Sequence, residues 1–371
     1  MEEKFMKMAI ELAKKGKGKV NPNPLVGAVI VKNGEIIGQG YHSKYGGNHA
    51  EIEAINNATD DVKGATIYVT LEPCFHYGKT PPCVDKLISS GISKVVIGHL
   101  DPNPLVSGKS IEKLKSLGIE VKVGVLEEEC IKLNEVFIKY IKTKLPFVVL
   151  KSGVSLDGKI ATKTGESKWI TGATSRAKVN ELRNELRGIM VGVNTVIIDD
   201  PSLNCNIDGG RNPIRIILDS NLRIPLDSKI LKTAYKYETI IATTKNIDLN
   251  KKALVEELKA KVITIDSINN KVDLNKLMIK LGEMKIDSIL LEGGGAADEA
   301  LSALGQVSAQ NEVKLSACTA DVLDSCGLCI YLTEEVEVNR VVDGHEVVQG
   351  CDGADVVGVI NRSTHAGRVV V

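Results

Sequence analysis

The chain has 371 residues, 43% hydrophobic and 25% charged, which excludes disordered, collagen-like and low-complexity classes and, at roughly 100–200 residues per domain, implies two domains or three. Its 47 basic and 47 acidic residues cancel, arguing against a general nucleic-acid or membrane-surface binder. No apolar run reaches the ~18 residues of a membrane span, and Met1-Glu-Glu-Lys-Phe-Met-Lys7 lacks a signal-peptide pattern, so a cytoplasmic protein is expected.

In chain order, residues 2–15 read as an amphipathic helix, with Phe5, Met8, Ala9 and Leu12 at helical spacing. Val26–Val31, the turn Asn33-Gly34 and Ile36–Gln39 form a hairpin signal. A helix at His49–Ala58, a buried strand at Thr66–Leu71, a helix at Val84–Ser90, a strand at Val95–Gly98, a helix at Ser110–Leu117 and a strand at Glu120–Gly124 follow. Such alternation implies an α/β sandwich with a mostly parallel sheet. One long helix is predicted over Glu127–Lys142, stopped by Thr143-Lys-Leu-Pro146.

A strand at Phe147–Ser152 opens the second half, so the first boundary is placed near residue 144. The pattern then predicts helices at Ser175–Arg187, Lys252–Leu258 and Leu274–Gly282, and strands at Gly188–Val193, Ile214–Asp219, Thr239–Thr243, Val262–Ile265 and Ser288–Leu291. The expected domains are residues 1–144, 145–304 and an atypical tail, 305–371.

The tail differs in kind. Residues 296–371 hold four basic and twelve acidic residues, and lysine falls from 37 before residue 296 to one after it. All 11 prolines and all four phenylalanines precede the break. Such a change reads as a fusion or a reading-frame change. Cys318, Cys326, Cys329, Cys351 and His345 lie in the tail, but one Cys-x-x-Cys with irregular partners is a weak metal signature.

Three earlier segments carry chemistry: His49-Ala-Glu51, Pro73-Cys74 and Cys83. Catalytic zinc takes three protein ligands, and one His with two Cys is such a set. Glu51 sits where an acid can face the metal site without ligating it; the order H-x-E, then Pro-Cys, then Cys resembles the signature of zinc-dependent nucleobase deaminases. A lone H-x-E means little, and cysteines are often ordinary core residues; the ordered combination is what carries the reading. Eight residues separate Cys74 from Cys83, against two in the simple pattern. In this extra loop His76 and Lys79 either reach a substrate phosphate or are solvated.

In the second half Gly293-Gly-Gly295 follows a strand, which suits a phosphate at a helix N-terminus. It is not G-x-G-x-x-G, and a triple glycine alone is more often a turn. Trp169, the one tryptophan, is either a stacking surface or a packing residue.

The runs Asn23-Pro-Leu-Val-Gly-Ala-Val-Ile-Val31, His49-Ala-Glu51, Thr70-Leu-Glu-Pro-Cys-Phe-His-Tyr-Gly-Lys-Thr-Pro-Pro-Cys83 and Asp101-Pro-Asn-Pro104 closely resemble the bifunctional riboflavin biosynthesis deaminase–reductases. The resemblance continues through Lys151-Ser-Gly-Val-Ser-Leu-Asp-Gly-Lys159, Ser167-Lys-Trp-Ile-Thr171, Gly192-Val-Asn-Thr195, Asp199-Asp-Pro-Ser-Leu203, Arg215-Ile-Ile-Leu-Asp219 and Leu291-Glu-Gly-Gly-Gly295, so it spans residues 1–295.

The resemblance implies a cytidine-deaminase-like three-layer α/β/α domain, then a dihydrofolate-reductase-like α/β domain that is incomplete at its C-terminus. It implies zinc on His49, Cys74 and Cys83, with Glu51 as proton carrier, and hydrolytic deamination of 2,5-diamino-6-ribosylamino-4(3H)-pyrimidinone 5′-phosphate. NADPH would then reduce the ribosyl group to ribityl. Gly153, Trp169, Thr195, Asp199, Ser220, Gly293, Gly294 and Gly295 match the family's NADPH positions. Ser167, Arg183, Leu203 and Glu292 match substrate positions, Lys151 opens the family's Lys-Ser motif as a catalytic candidate, and Arg183 is the natural phosphate clamp; Asn23, His76 and Lys79 are further candidate substrate contacts. Asn206 stands where the family commonly has a second arginine.

A small phosphorylated pyrimidine is therefore the expected partner, with no nucleic acid or membrane, and with homo-oligomer contacts through the reductase domain. A reductase sheet lacking its last elements is expected to leave an edge unpaired and to reduce poorly. Two other readings are an RNA or free-nucleobase deaminase and a non-catalytic, zinc-stabilised binding protein. The Cys spacing and the second nucleotide-binding-like domain oppose the first. Glu51 opposes the second, because structural zinc sites are closed by four ligands.

Overall fold

The computed structural model describes residues 1–75, 82–103, 106–154, 161–164 and 170–293, and beyond these only the backbone of seven short strands between Ser316 and Val369. It divides into two compact units, Met1–Leu145 and Pro146–Val371.

The first unit runs α1 (Glu2–Lys14), β1 (Gly27–Lys32), β2 (Glu35–Tyr41), α2 (Ala50–Asn56), β3 (Thr66–Leu71), α3 (Cys83–Ser89), β4 (Lys94–His99), α4 (Lys109–Ser116), β5 (Glu120–Val123), α5 (Glu127–Leu133) and α6 (Glu135–Thr143). Its sheet has the order β2-β1-β3-β4-β5. The β1–β2 and β1–β3 pairs are antiparallel, and only β3–β4 and β4–β5 are parallel, so this sheet is mixed rather than mostly parallel. The cause is local: Asn33 (φ 55°) and Gly34 (φ 84°) both accept left-handed backbone and close the β1–β2 hairpin, with Lys32 opposite Glu35.

Alternate residues of the central strands feed two cores. Ala28, Ile30, Ile67, Val69, Val95 and Ile97 pack with Ala50 and Ala54 of α2, Val84 and Leu87 of α3, and Leu114 of α4. Val29, Val31, Tyr68 and Val96 pack on the other face with Phe5, Met6, Ala9 and Ile10 of α1. Strands buried on both faces read as continuous apolar runs, which is why they stand out in the sequence. Two glycines set the helix distances. A Cβ on Gly27 would lie 1.9 Å from the Ala9 carbonyl oxygen, and one on Gly40 would lie 2.3 Å from the Ala54 nitrogen. Helices α1 and α2 can therefore press their backbones onto the sheet.

The single long helix predicted over Glu127–Lys142 is two helices. The break is Asn134, buried and non-helical (φ −113°, ψ 18°), whose amide accepts from the Leu25 N–H (2.8 Å) and donates to the Leu25 carbonyl (2.9 Å). A tertiary partner thus takes the side chain away from the helix.

The second unit runs β6 (Phe147–Val154), α7 (Ala173–Glu185), β7 (Gly188–Gly192), α8 (Val193–Asp199), β8 (Ile214–Leu218), α9 (Lys229–Lys232), β9 (Thr239–Thr243), α10 (Leu249–Glu257), β10 (Lys261–Thr264), β11 (Ser267–Ile268), β12 (Lys271–Val272), α11 (Leu274–Glu283) and β13 (Ser288–Glu292). The tail adds β14 (Ser316–Ala317) and β15 (Leu328–Leu332), and the sheet order is β10-β9-β8-β7-β13-β6-β15-β14. All neighbours from β10 to β6 are parallel. The expectation of an unpaired reductase edge is corrected here: β15 pairs antiparallel with β6, Leu328 opposite Val154 and Leu332 opposite Leu150. Further along, β16 (Val338–Val342), β17 (His345–Gln349) and β18 (Asp355–Val356) form one small sheet, and β19 (Ile360–Asn361) and β20 (Arg368–Val369) another.

Arg215, on β8, is fully buried. Its guanidinium donates to Thr239 Oγ1 and Thr233 Oγ1 and to the Ile230 and Tyr237 carbonyls, and it lies over the Tyr237 ring at 5.3 Å. Five donors need that many acceptors inside a protein, and the β8–β9 region supplies them. Burial lowers its pKa to about 10, still charged at neutral pH.

Candidate functional site

His49 is the N-cap of α2, extended at φ −75° and ψ 162°, and the tight packing of α2 on Gly40 fixes where that helix begins. Cys74 follows the end of β3 by three residues, and Cys83 opens α3. Their ligand atoms all lie within 4.8 Å of one another. His49 Nδ1 stands 3.5 Å from Cys74 Sγ and 3.2 Å from Cys83 Sγ, and the Cys83 N–H donates to Cys74 Sγ at 3.2 Å. A tetrahedral zinc with ordinary Zn–N and Zn–S bonds separates such atoms by about 3.6 Å. The three residues therefore fit the ion, with Nδ1 as the histidine ligand atom.

The electrostatics of the three residues follow from their mutual contacts. Hydrogen bonding, first from Cys83, brings the Cys74 thiol down to about 4. The Cys74 contact lifts His49 to about 9 against the effect of burial. Cys83 is pushed well above its ordinary value by Cys74 and by burial. Of the two thiols, Cys74 is thus the one favoured as thiolate and Cys83 the one favoured as thiol.

Glu51 lies in the first turn of α2, 3% exposed, and burial raises its carboxyl above the usual range while His49 partly opposes this. A carboxyl so placed holds a proton at neutral pH more readily than a surface glutamate does.

Two residues that the sequence analysis passed over support this centre. Buried Glu72, part of the Leu-Glu-Pro-Cys run, accepts from the Asp101 N–H (3.2 Å), the Gly108 N–H (3.0 Å) and Ser110 Oγ (2.6 Å). It ties the loop after β4 to the segment bearing Cys74. His42, 2% exposed, packs edge-to-face on His49 with ring centroids 5.5 Å apart and meets Asn23 Nδ2 at 3.1 Å. No spacing rule signals either residue; only their being polar in strand-end positions does.

The second-unit positions gather at one edge of the sheet. Because β6, β13, β7 and β8 run parallel, their carboxyl ends lie together, and ligands of open α/β sheets bind at that edge. Gly153 is near the end of β6, Thr195 and Asp199 lie on α8 directly after β7, Ser220 follows β8, and Gly293 follows β13. Gly293 has φ 155°, backbone that L side chains rarely adopt. Ser220 Oγ accepts from the Val272 N–H at 3.1 Å, so its hydroxyl also anchors the β11–β12 hairpin. Lys151 pairs in register with Glu292.

Arg183 and Glu292 are joined as a two-bond ion pair, Nε and Nη2 each 2.9 Å from a carboxylate oxygen, and Nη1 donates to the Asn204 carbonyl at 3.1 Å. Leu203, buried and left-handed at φ 55°, immediately precedes Asn204. Asn206 is exposed and offers its N–H to Asn180 Oδ1. His76, Lys79, Ser167, Trp169, Gly294 and Gly295 lie outside the described residues, as do the side chains of the tail cysteines. Among the described residues, no helix is long and apolar enough to cross a membrane.

Residues 1–99 match the cytidine and deoxycytidylate deaminase zinc-binding region, and residues 146–308 match the RibD C-terminal domain. Riboflavin biosynthesis protein RibD of Actinobacillus pleuropneumoniae is 53% identical over 292 residues, 79% of this chain and 77% of that protein. Its namesake in Aquifex aeolicus is 50% identical over 295 residues, 79% of this chain and 81% of that protein. The crystal structure of a diaminohydroxyphosphoribosylaminopyrimidine deaminase/5-amino-6-(5-phosphoribosylamino)uracil reductase from Thermotoga maritima is 40% identical, with a TM-score of 0.76 over 90% of this chain and 99% of that one. Sequence, fold and metal-ligand geometry agree: the chain belongs to the RibD family, enzymes of riboflavin biosynthesis that join a zinc-dependent deaminase to an NADPH-dependent reductase.

Proposed function

We propose that the first unit deaminates 2,5-diamino-6-ribosylamino-4(3H)-pyrimidinone 5′-phosphate and that the second reduces the ribosyl group of the product to ribityl. The observation that carries this is the convergence of His49, Cys74 and Cys83 within 4.8 Å beside buried Glu51. Zinc, when bound, supplies Lewis-acid activation of water. Glu51 has the raised affinity to take a proton on its carboxylate and return it to the departing ammonia. Asn23 contacts the substrate, and His76 and Lys79 of the loop between the cysteines meet its phosphate.

In the second unit, Gly153, Trp169, Thr195, Asp199, Ser220 and Gly293–Gly295 bind NADPH, while Ser167, Arg183, Leu203 and Glu292 bind the phosphorylated intermediate. Lys151 serves as the catalytic position there. Its pairing in register with Glu292 supports this, since both side chains then share one face at the ligand edge. The enzyme works in the cytoplasm, with residues 1–144 and 145–304 as its two catalytic domains and second-unit contacts available for homo-oligomers.

The test is a sequential assay on the purified chain with that phosphorylated pyrimidine and NADPH. One ammonia should appear per NADPH oxidised. Glu51→Gln should stop both from the first substrate yet leave reduction of the supplied deaminated intermediate intact. Ammonia release undiminished in Glu51→Gln would overturn the deaminase assignment.

A further inference from the structure

Asn48, His42 and Asn23 form a hydrogen-bond chain whose direction can be worked out. The Asn48 carbonyl oxygen lies 2.9 Å from His42 Nδ1. A carbonyl only accepts, so Nδ1 carries a hydrogen. His42 is 2% exposed, and its ring neighbours are this carbonyl, the Asn23 amide and the His49 imidazole. The Asn23 atom 3.1 Å from Nε2 is the amide nitrogen, which only donates, so Nε2 is the acceptor of this pair.

The consequence falls on the other half of that amide. With its nitrogen committed to His42, Asn23 turns Oδ1 away from the ring. The same ring lies edge-to-face on His49, so Asn23 stands one side chain away from a metal ligand, and half-exposed. An asparagine without such a partner presents oxygen or nitrogen with similar ease; this one presents oxygen.

We propose that His42 is a positioning residue that fixes Asn23 as a hydrogen-bond acceptor toward the substrate, so that the deaminase selects a pyrimidine nucleotide offering an N–H or O–H at that point. This rests on Asn23 being a substrate contact, as read above. Ligands that present only a lone pair there meet an oxygen and are rejected, because an acceptor covered by a ligand that offers no donor is costly. The loop between Tyr41 and His49 thus has a second task besides delivering His49: its Asn48 carbonyl sets the tautomer that sets the amide.

The experiment uses the full-length zinc-loaded protein, the phosphorylated diaminopyrimidine as substrate, and ammonia release as the readout. His42→Phe keeps the ring against His49 and removes both nitrogens. It should retain one zinc per chain, raise KM about tenfold, the worth of one hydrogen bond, and leave kcat nearly unchanged, as loss of uniform binding does. His42→Gln, with one acceptor and one donor, should recover most of the KM. Should His42→Phe fail to fold, His42→Asn replaces it, since its shorter amide keeps the Asn48 contact and misses Asn23. The double variant His42→Phe/Asn23→Ala should be no worse than Asn23→Ala alone. Additive losses, loss of zinc from His42→Phe, or no rescue by glutamine would each overturn the proposal. Asn23→Ala with unchanged KM would instead remove the substrate role of Asn23 itself, and the proposal with it.

Discussion

Glu292 grips Arg183 along one side of the guanidinium, Oε1 to Nε and Oε2 to Nη2, at 2.9 Å in both bonds. The two side chains are 10% and 19% exposed, so this is a mostly desolvated fork rather than a surface pair. Nη1 also donates to the Asn204 carbonyl at 3.1 Å, so one N–H each of Nη1 and Nη2 remains for a ligand. Under the proposed role of Arg183 as phosphate clamp, Glu292 is the residue that aims it. Arg183→Lys should abolish most binding of the phosphorylated intermediate, because an ammonium cannot make the two-bond fork and still present two donors to a ligand. Glu292→Gln should raise the reductase KM for that intermediate severalfold, and neither change should alter ammonia release. Steady-state NADPH oxidation checks this; an unchanged KM in Glu292→Gln would show that Arg183 is aimed by something else.

Metal uptake has a defined pH dependence. In the free cluster Cys74 titrates near 4, His49 near 9, and Cys83 higher still. At neutral pH zinc must displace the His49 proton and the Cys83 proton, while Cys74 is already a thiolate. Both displaced groups have raised values, so protonation competes more strongly as pH falls. Zinc affinity should drop about a hundredfold per pH unit between roughly pH 8 and 5. Calorimetric titration in buffers of different ionisation enthalpy should count about two released protons; zero would contradict the arrangement. Cys74→Ser and Cys83→Ser should each lose the metal.

Residues 1–145 should fold alone. The unit has two cores on a five-stranded sheet, both made only of its own residues, and all three metal ligands. The expected fragment is monodisperse, binds one zinc per chain and releases ammonia at a rate within about threefold of the intact protein, a margin that allows for the shared linker. An insoluble fragment would mean that the second unit is needed to cover it.

The elements were legible where strands are buried on both faces, since Thr66–Leu71 and Thr239–Thr243 stand out as apolar runs bounded by polar turns. Helix α10 starts three residues before the predicted Lys252, because Asp248 accepts from the Asn250 and Lys251 N–H groups and extends the helix backwards. Helix α8, Val-Asn-Thr-Val-Ile-Ile-Asp, escaped the sequence reading: four of its seven residues are valine or isoleucine, which favour strands, and its position after β7 overrides that preference. In the site, His49, Glu51, Cys74 and Cys83 could be singled out because their residue types are themselves the chemistry. His42, Glu72 and Asn134 could not, since each is defined by a partner far along the chain.

The tail gives a further test. With β15 paired along β6 from Leu150 to Val154, a chain ending at residue 304 exposes the backbone edge that carries Lys151 and Gly153. Truncation there should abolish NADPH oxidation and favour aggregation through the open edge, while ammonia release persists. Full reductase activity in the truncated chain would show that the tail strand is dispensable.

Strand β3 lies at the middle of the first sheet, hydrogen-bonded to β1 on one side and β4 on the other and packed by helices on both faces. Its amide hydrogens can meet solvent only when the whole unit opens, so Ile67–Val69 should be among the slowest to exchange with deuterium. Cys74 lies three residues past that strand, whereas Cys83 begins the short, seven-residue helix α3. Removing zinc should therefore speed deuterium uptake around α3 long before it touches β3. The ion could then be exchanged while the central strand stays closed, and the fold need not melt for it.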